Sequence, residues 1–317
     1  MFQEYIPLIR HSNYKIGGPA RYFYAGKNIE GIEKAVVKAR QWKLPLFILG
    51  GGTNLLISDE GFDGLVLKPE ILGINYQASS IKSGEALLKV GAGESVSQFL
   101  NFLVSHGLSG FEWAGGLPGT VGGAVRGNAG AFGGETKDLV SEVTSLDISG
   151  RTPKLIKRNN KQCRFGYRNS IFKHTNTNEI ILEVVFKLKK GDRQAIKNAI
   201  KDKIQYRQER QPLDYPNIGS IFKNVSTQKY QNINLSKFKQ VIKNDPFPVI
   251  PTAYLISEAG LKGVAFGGAM VSPKHPNFIV NALGAKASDV KNLISLVKSE
   301  VYGKFKINLE EEIVVVN

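Results

Sequence analysis

GGGTN (50–54) and GGLPGTVGGAVRGNAG (115–130) decide how this chain is read. Both are dense in glycine, and together they hold one charge, Arg126. Glycine loses more backbone freedom on folding than any other residue, so such density is costly unless something must approach the backbone itself. A phosphate held by bare N–H groups is the usual reason, and two such loops can close around one long phosphorylated ligand.

The surroundings of the loops alternate strand and helix. A helix is expected over 28–43, with Asn28 as its N-cap, and LPLFILG (44–50) reads as a buried strand running into the first loop. ALLKVGAG (86–93) is a second strand, followed by an amphipathic helix, ESVSQFLNFLVSHG (94–107), that stops at Gly107. GAGES (91–95) begins like a dinucleotide fingerprint, but Val96 stands where the third glycine belongs, so it reads as a strand–turn–helix corner. From Leu139 the pattern becomes short alternating runs: VTSLDIS (143–149), TPKLIK (152–157) and EIILEVVFKLKK (179–190). A charged helix over 191–210 then leads to a smaller region. That region carries a helix near 253–260, a strand at FIVNA (278–282), a helix over 288–305 and a final strand, INLEEEIVVV (307–316). The expectation is an α+β protein of two domains, 1–190 and 191–317.

Composition limits the function classes. With 317 residues, 42% hydrophobic and 22% charged, the chain is an ordinary globular protein. No apolar run reaches the length of a membrane span, and MFQEYIPLIRHSNYK lacks the features of a secretory signal. Cys163 is the only cysteine, which excludes an internal disulfide and fits a reducing compartment, so the cytoplasm is expected. His11, His106, His174 and His275 are scattered with no metal-ligand spacing, so no metal is expected. Most of the net charge of +15 falls between Arg151 and Tyr230, where 19 Lys or Arg face 6 Asp or Glu. Such a segment is a nucleic-acid footprint, a funnel for small anions, or only a solvated surface. It lacks the interleaved aromatics of a nucleic-acid binder.

Three polar clusters remain. FGYRNSIFK (165–173) sets Arg168 among aromatics; it is a surface hairpin or an arginine fork for a carboxylate. GSIFKN (219–224) places Ser220 after a glycine, where serine is more often a turn residue than a catalyst. LEEEI (309–313) puts Glu310 and Glu312 on one face of a strand and Glu311 on the other, a pattern that charge at a sheet edge also explains.

Taken in order, these clusters resemble the UDP-N-acetylenolpyruvoylglucosamine reductase family over nearly the whole chain. HSNYKIGGPA (11–20), LGGGTNLLISDEGFDGLVLK (49–68) and WAGGLPGTVGGAVRGNAGAFGGE (113–135) are similar to its FAD-binding half. RFGYRNSIFK, QPLDYPNIGSIFKN, LISEAGLKGVAFGGAMVSPKHPNFIVN and LEEEI are similar to its later blocks. The succession Y-R-x-S, G-S-x-F-K-N and L-E-x-E-[VI] is highly specific.

The resemblance implies an FAD-binding half of the vanillyl-alcohol-oxidase type followed by a smaller α+β substrate domain. It implies non-covalent FAD, with Gly50, Gly51, Gly52, Thr53, Asn54 and Leu55 in one loop as cofactor-binding residues. Gly116, Pro118, Gly119, Thr120, Gly122, Gly123, Asn128 and Gly130 supply the other. NADPH is then the reductant and UDP-N-acetylglucosamine enolpyruvate the substrate, reduced to UDP-N-acetylmuramate for peptidoglycan. Hydride passes from flavin N5 to C3 and a proton from Ser220 to C2. Arg168 holds the carboxylate and enolate oxygen, and Glu312 supports the same centre. Asn224 contacts substrate, Lys274 or His275 its nucleotide part, and Lys223 offers positive charge near Ser220. No nucleic acid, membrane or partner protein is implied.

Three departures from the family pattern stand out: Val225 where proline is usual, Thr53 where serine is common, and only 51 residues between Arg168 and Ser220. The last suggests the short class without an inserted tyrosine loop. The rival readings are another oxidoreductase on the same scaffold and a basic nucleic-acid-binding protein.

Overall fold

The computed structural model describes residues 2–76, 84–173, 178–230 and 235–317. Contacts gather the chain into two compact units. The first holds residues 1–5, 21–51 and 63–207, and the second holds 6–20, 52–62 and 208–317. The helix that opens the expected second domain, α4 (Arg193–Arg210), therefore lies in the first unit up to Arg207. Two N-terminal pieces join the second.

In the first unit, α1 (Ile29–Gln41) starts at Asn28, whose side chain accepts the N–H of Gly31 at 2.8 Å. Leu46–Ile48 pairs in parallel with Phe62–Pro69. α2 (Val96–His106) begins where Ser95 accepts the N–H of Gln98, and ends at Gly107 in the left-handed region, φ 63°. The corner at 91–95 is thus a strand–turn–helix junction. The alternating runs beyond Leu139 form an antiparallel sheet in which Glu179–Lys190 lies between Val140–Asp147 and Glu85–Gly91. Leu182, Val184, Phe186 and Leu188 show no exposure, so the period-two pattern buries one face of this strand completely.

The second unit packs small sheets against α5 (Thr252–Glu258) and α6 (Ala287–Phe305). Its core includes Tyr14, Ile16 and Leu56 from the N-terminal pieces beside Ile221, Phe222, Leu293 and Val297. Tyr14 is fully buried, and its hydroxyl donates to the Ile279 carbonyl at 2.8 Å. Burial pushes that phenol well above the usual tyrosine range. The final strand is shorter than expected. Only Val314–Val316 is a regular strand, paired in parallel with Leu55–Ile57, while the acids before it make single bonds to the 221–223 segment.

α6 takes its N-terminal cap from a distant residue. Asp59 accepts the N–H of Ala287 at 2.6 Å and of Ser288 at 3.1 Å. Burial pulls this carboxyl up, but those N–H groups and the Ser288 hydroxyl outweigh it and hold it below the usual range. A carboxyl held low stabilises the fold above its unfolded pKa and loses that contribution as pH falls through the folded value. Asp59→Ala is expected to lower stability by about 1 kcal/mol at neutral pH. Urea unfolding should show the gap to the parent closing in acid; an equal gap at neutral and acidic pH would remove the cap as its source.

Candidate active site

Gly50 and Gly51 meet the second glycine loop within the first unit. A Cβ on Gly51 would lie 2.6 Å from the Gly119 Cα, and one on Gly50 3.2 Å from the Thr120 Oγ1. α3 (Val121–Gly127) follows, capped by Thr120, whose hydroxyl oxygen accepts the N–H of Gly123 at 3.3 Å. Its first N–H groups already have partners: Val121 donates to the Glu94 carbonyl and Gly122 to the Ala92 carbonyl. The loops before it differ. Among the described residues, no protein acceptor takes the N–H of Gly50, Gly51, Gly116, Gly119 or Thr120. The same holds for Gly52, Thr53 and Asn54 in the second unit. Unclaimed donors in glycine loops suit the oxygens of a diphosphate, so these residues fit an anionic dinucleotide.

Packing also demands glycine here. Gly52 has φ +65° and a Cβ would stand 1.9 Å from the His11 carbonyl oxygen; on Gly122 one would stand 2.9 Å from the Ala92 Cβ. Those two are required by chain packing. Gly123 is exposed, and a Cβ there would only touch Thr120 at 3.4 Å. Pro118 and Gly116 are also exposed, while Thr53 and Leu55 are half-buried.

Arg168 sits at the tip of a tight hairpin. Gly166 and Asn169 exchange both backbone hydrogen bonds, at 3.0 and 3.1 Å, leaving Tyr167 and Arg168 between them. Arg168 has φ +53°, a strained value for a residue with a Cβ. Its guanidinium donates to the Gly130 carbonyl at 2.7 Å and lies 5.2 Å from the Tyr167 ring centre. Asn128 is wholly buried and works for this hairpin: Nδ2 donates to the Gly166 carbonyl at 2.9 Å, and Oδ1 accepts the N–H of Lys137 at 3.0 Å. Its side chain ties loop to hairpin.

Arg207 was missed. Its Nε donates to the Gly115 carbonyl at 2.8 Å, while the buried Nη2 has no partner. Burial, then the charge of Arg168, lowers its pKa. Two guanidinium groups that repel each other, one with an unmet buried donor, fit an anionic group. The basic excess of 151–230 was the available signal, but composition does not single out one arginine.

In the second unit Ser220 and Glu312 are tied through the main chain. The N–H of Glu312 donates to the Ile221 carbonyl at 2.8 Å, and Lys223 N–H to the Glu310 carbonyl at 2.9 Å. Asn54, from the first glycine loop, donates its side-chain amide to the Glu312 carbonyl at 3.1 Å. Lys223 pairs with Glu310, a hydrogen bond that holds the Glu310 carboxyl below its usual range. The Lys223 charge is therefore already partly matched. Asn224 Oδ1 accepts the N–H of Thr252 at 3.2 Å, capping α5. Lys274 Nζ donates to the Gln208 carbonyl at 2.7 Å. His275 is half-buried, packed edge-on to Phe278, with Nδ1 unpartnered. Burial, then the Lys243 charge, lowers its pKa, so the ring is neutral at pH 7. Among the described residues no group of three His, Cys, Asp or Glu could hold a metal, and no helix is long and apolar enough to cross a membrane. His174 lies outside the described residues.

Unclaimed donors in the glycine loops of a chain built from two α+β units fit the class of flavin-dependent oxidoreductases. Residues 20–155 match the family model described as FAD binding domain, and residues 211–316 the UDP-N-acetylenolpyruvoylglucosamine reductase C-terminal domain. The reductase of Lachnoclostridium phytofermentans is 37% identical, covering 97% of this chain and 90% of that protein. That of Caldanaerobacter subterraneus subsp. tengcongensis is also 37% identical, over 98% and 92%. The crystal structure of the reductase from Thermus caldophilus superposes with a TM-score of 0.76 at 28% identity, covering all of both chains. The chain belongs to the UDP-N-acetylenolpyruvoylglucosamine reductase family.

Gly123 separates the two reasons for glycine. Gly123→Ala is expected to leave the melting temperature of the flavin-free protein unchanged or raised, because alanine favours a helix and meets no clash. FAD retention, read from the ratio of visible to ultraviolet absorbance, is expected to fall. Full flavin occupancy would show that this glycine serves only the turn.

Proposed function

We propose that this protein reduces UDP-N-acetylglucosamine enolpyruvate to UDP-N-acetylmuramate with NADPH as reductant, a step of peptidoglycan precursor synthesis in the cytoplasm. The observation that supports the reading is the bond from Glu312 N–H to the carbonyl of Ile221, the residue after Ser220. FAD, when bound, would supply the two-electron chemistry between NADPH and C3 of the enolpyruvyl group. The unclaimed N–H groups of Gly50 to Asn54 and of Gly116, Gly119 and Thr120 would hold its diphosphate. Gly122, Gly123, Pro118, Gly130 and Leu55 shape the loops around it.

The remaining work is electrostatic. Reduction at C3 leaves negative charge at C2, spread into the adjacent carboxylate, and that charge needs cationic support and then a proton. Arg168 holds the carboxylate with its planar fork, and Arg207 adds a second guanidinium with a donor to spare. Ser220 gives its proton to C2; a serine hydroxyl is a weak acid, so only a strongly basic centre opposite it takes that proton. Glu312 supports the same centre. Asn224 keeps its amide nitrogen for substrate, its oxygen being spent on α5. Between the two nucleotide candidates, His275 has the unpaired ring nitrogen, while Lys274 is bonded to Gln208.

The test is a visible spectrum under anaerobic conditions. Flavin absorbance is expected to bleach with NADPH and to return on adding the enolpyruvyl substrate; a bound flavin indifferent to that substrate would move the activity to another oxidoreductase. Ser220→Ala is expected to leave bleaching by NADPH near normal and to slow the return by orders of magnitude. Equal slowing of both would reject the proton-donor role. Arg168→Lys is expected to lower turnover about 10²–10³-fold, the range for losing a charge-stabilising donor, because an ammonium does not reproduce a two-point planar contact. Near-normal steady-state turnover would count against the clamp.

A further inference from the structure

Ser220 occupies a short gap between a swivel and a clamp. On one side Gly219 has φ +83°, and its N–H donates to Asn217 Oδ1 at 3.1 Å. On the other side the next two residues are fixed by Asn277, which is 3% exposed. The N–H of Ile221 donates to the Asn277 carbonyl at 2.8 Å. The N–H of Phe222 donates to Asn277 Oδ1 at 3.0 Å, and Asn277 Nδ2 donates to the Phe222 carbonyl at 2.8 Å. The side-chain amide thus behaves as an added piece of strand, trading both bonds with the main chain of one residue. The opposite edge of the same segment is bonded to Glu312 and Glu310.

We infer that Asn277 is a positioning residue for the Ser220 hydroxyl, an inference that rests on the proton-donor reading of Ser220. It acts through the backbone: by holding the Ile221 and Phe222 peptides it sets the torsion on the C-terminal side of Ser220, and hence where the hydroxyl points. Gly219 supplies little resistance of its own, because glycine moves freely between backbone regions. Proton transfer between fixed partners is sensitive to small displacements, and a shift of ~1 Å is worth about 10²-fold in rate. A purely structural asparagine would instead lower stability and leave the rate per folded, flavin-loaded molecule as it is.

Single-turnover measurements on the holoenzyme separate these roles. Asn277→Ala is expected to leave reduction by NADPH within about twofold and to slow reoxidation by UDP-N-acetylglucosamine enolpyruvate about 10–100-fold. A larger solvent deuterium isotope effect should accompany the slowing, as the proton step becomes limiting. The Ser220→Ala, Asn277→Ala double variant is expected to be no slower than Ser220→Ala, since no hydroxyl is left to misplace. Amide exchange at Phe222, whose partner the substitution removes, is expected to rise in the holoenzyme without substrate. Asn277→Ser keeps a small polar side chain, buries no charge and cannot trade both bonds with Phe222; it serves for the same comparison where the alanine variant does not fold. Reoxidation at the parent rate in the asparagine variants, with Ser220→Ala slow, would overturn the inference alone, as would losses that simply add in the double variant. A normal Ser220→Ala enzyme would overturn the functional reading beneath it.

Discussion

The backbone of residues 310–316 is hydrogen-bonded along both edges, and the second unit depends on that. On one edge it meets 221–223, on the other Asn54 and the strand Leu55–Ile57. Single backbone bonds contribute little net stability, but a buried peptide group left without a partner is costly, so the register of the segment is hard to change. The consequence is chemical. Glu312, the Ser220 loop and the end of the first glycine loop have their places set by one piece of extended chain rather than by three separate supports.

The glycines sort by cause. Gly51, Gly52 and Gly122 stand where another part of the chain leaves no room for a Cβ. The N–H groups of Gly50, Gly116 and Gly119, and of the crowded Gly51 and Gly52 too, have no acceptor among the described residues, and those are the groups suited to an anion. Glycine density therefore marks a place where backbones crowd one another, and the bare donors a ligand needs arise because crowded loops leave no room for side chains to cover them. Arg168 shows a related economy. It holds a strained left-handed torsion at a hairpin tip that Asn128 ties down from beneath, so the loop that carries Gly130 also steadies the arginine.

Much of the fold was legible in local chemistry. Asn28 and Gly107 announce helix ends by capping, and the alternation in 179–190 announces a strand because one face must be buried. The family motifs pointed to Ser220, Arg168 and Glu312 as the reactive positions. What local patterns do not carry is the partner of a polar side chain. Asn128, Asn277 and Asn54 are small amides whose bonds span 38, 55 and 258 residues, and no spacing rule reveals them. Arg207 was hidden in the same way: its unmet donor is a property of burial. The extent of the second unit was hidden too, because Tyr14 and Leu56 reach their core only through contacts far along the chain.

The discontinuity of that second unit bears on how the protein comes into being. Residues 6–20 and 52–62 leave the ribosome long before 208–317, and Tyr14 and Asn54 find their partners 265 and 258 positions later. During that interval the first unit, whose cores draw on residues 32–200, already has everything it needs to condense. The early segments must meanwhile wait unpaired, tethered to a body that is already folding. A nascent chain halted before 310–316 would carry glycine loops and no completed seat for Ser220, so biosynthesis completes the unit that bears Ser220 and Glu312 last.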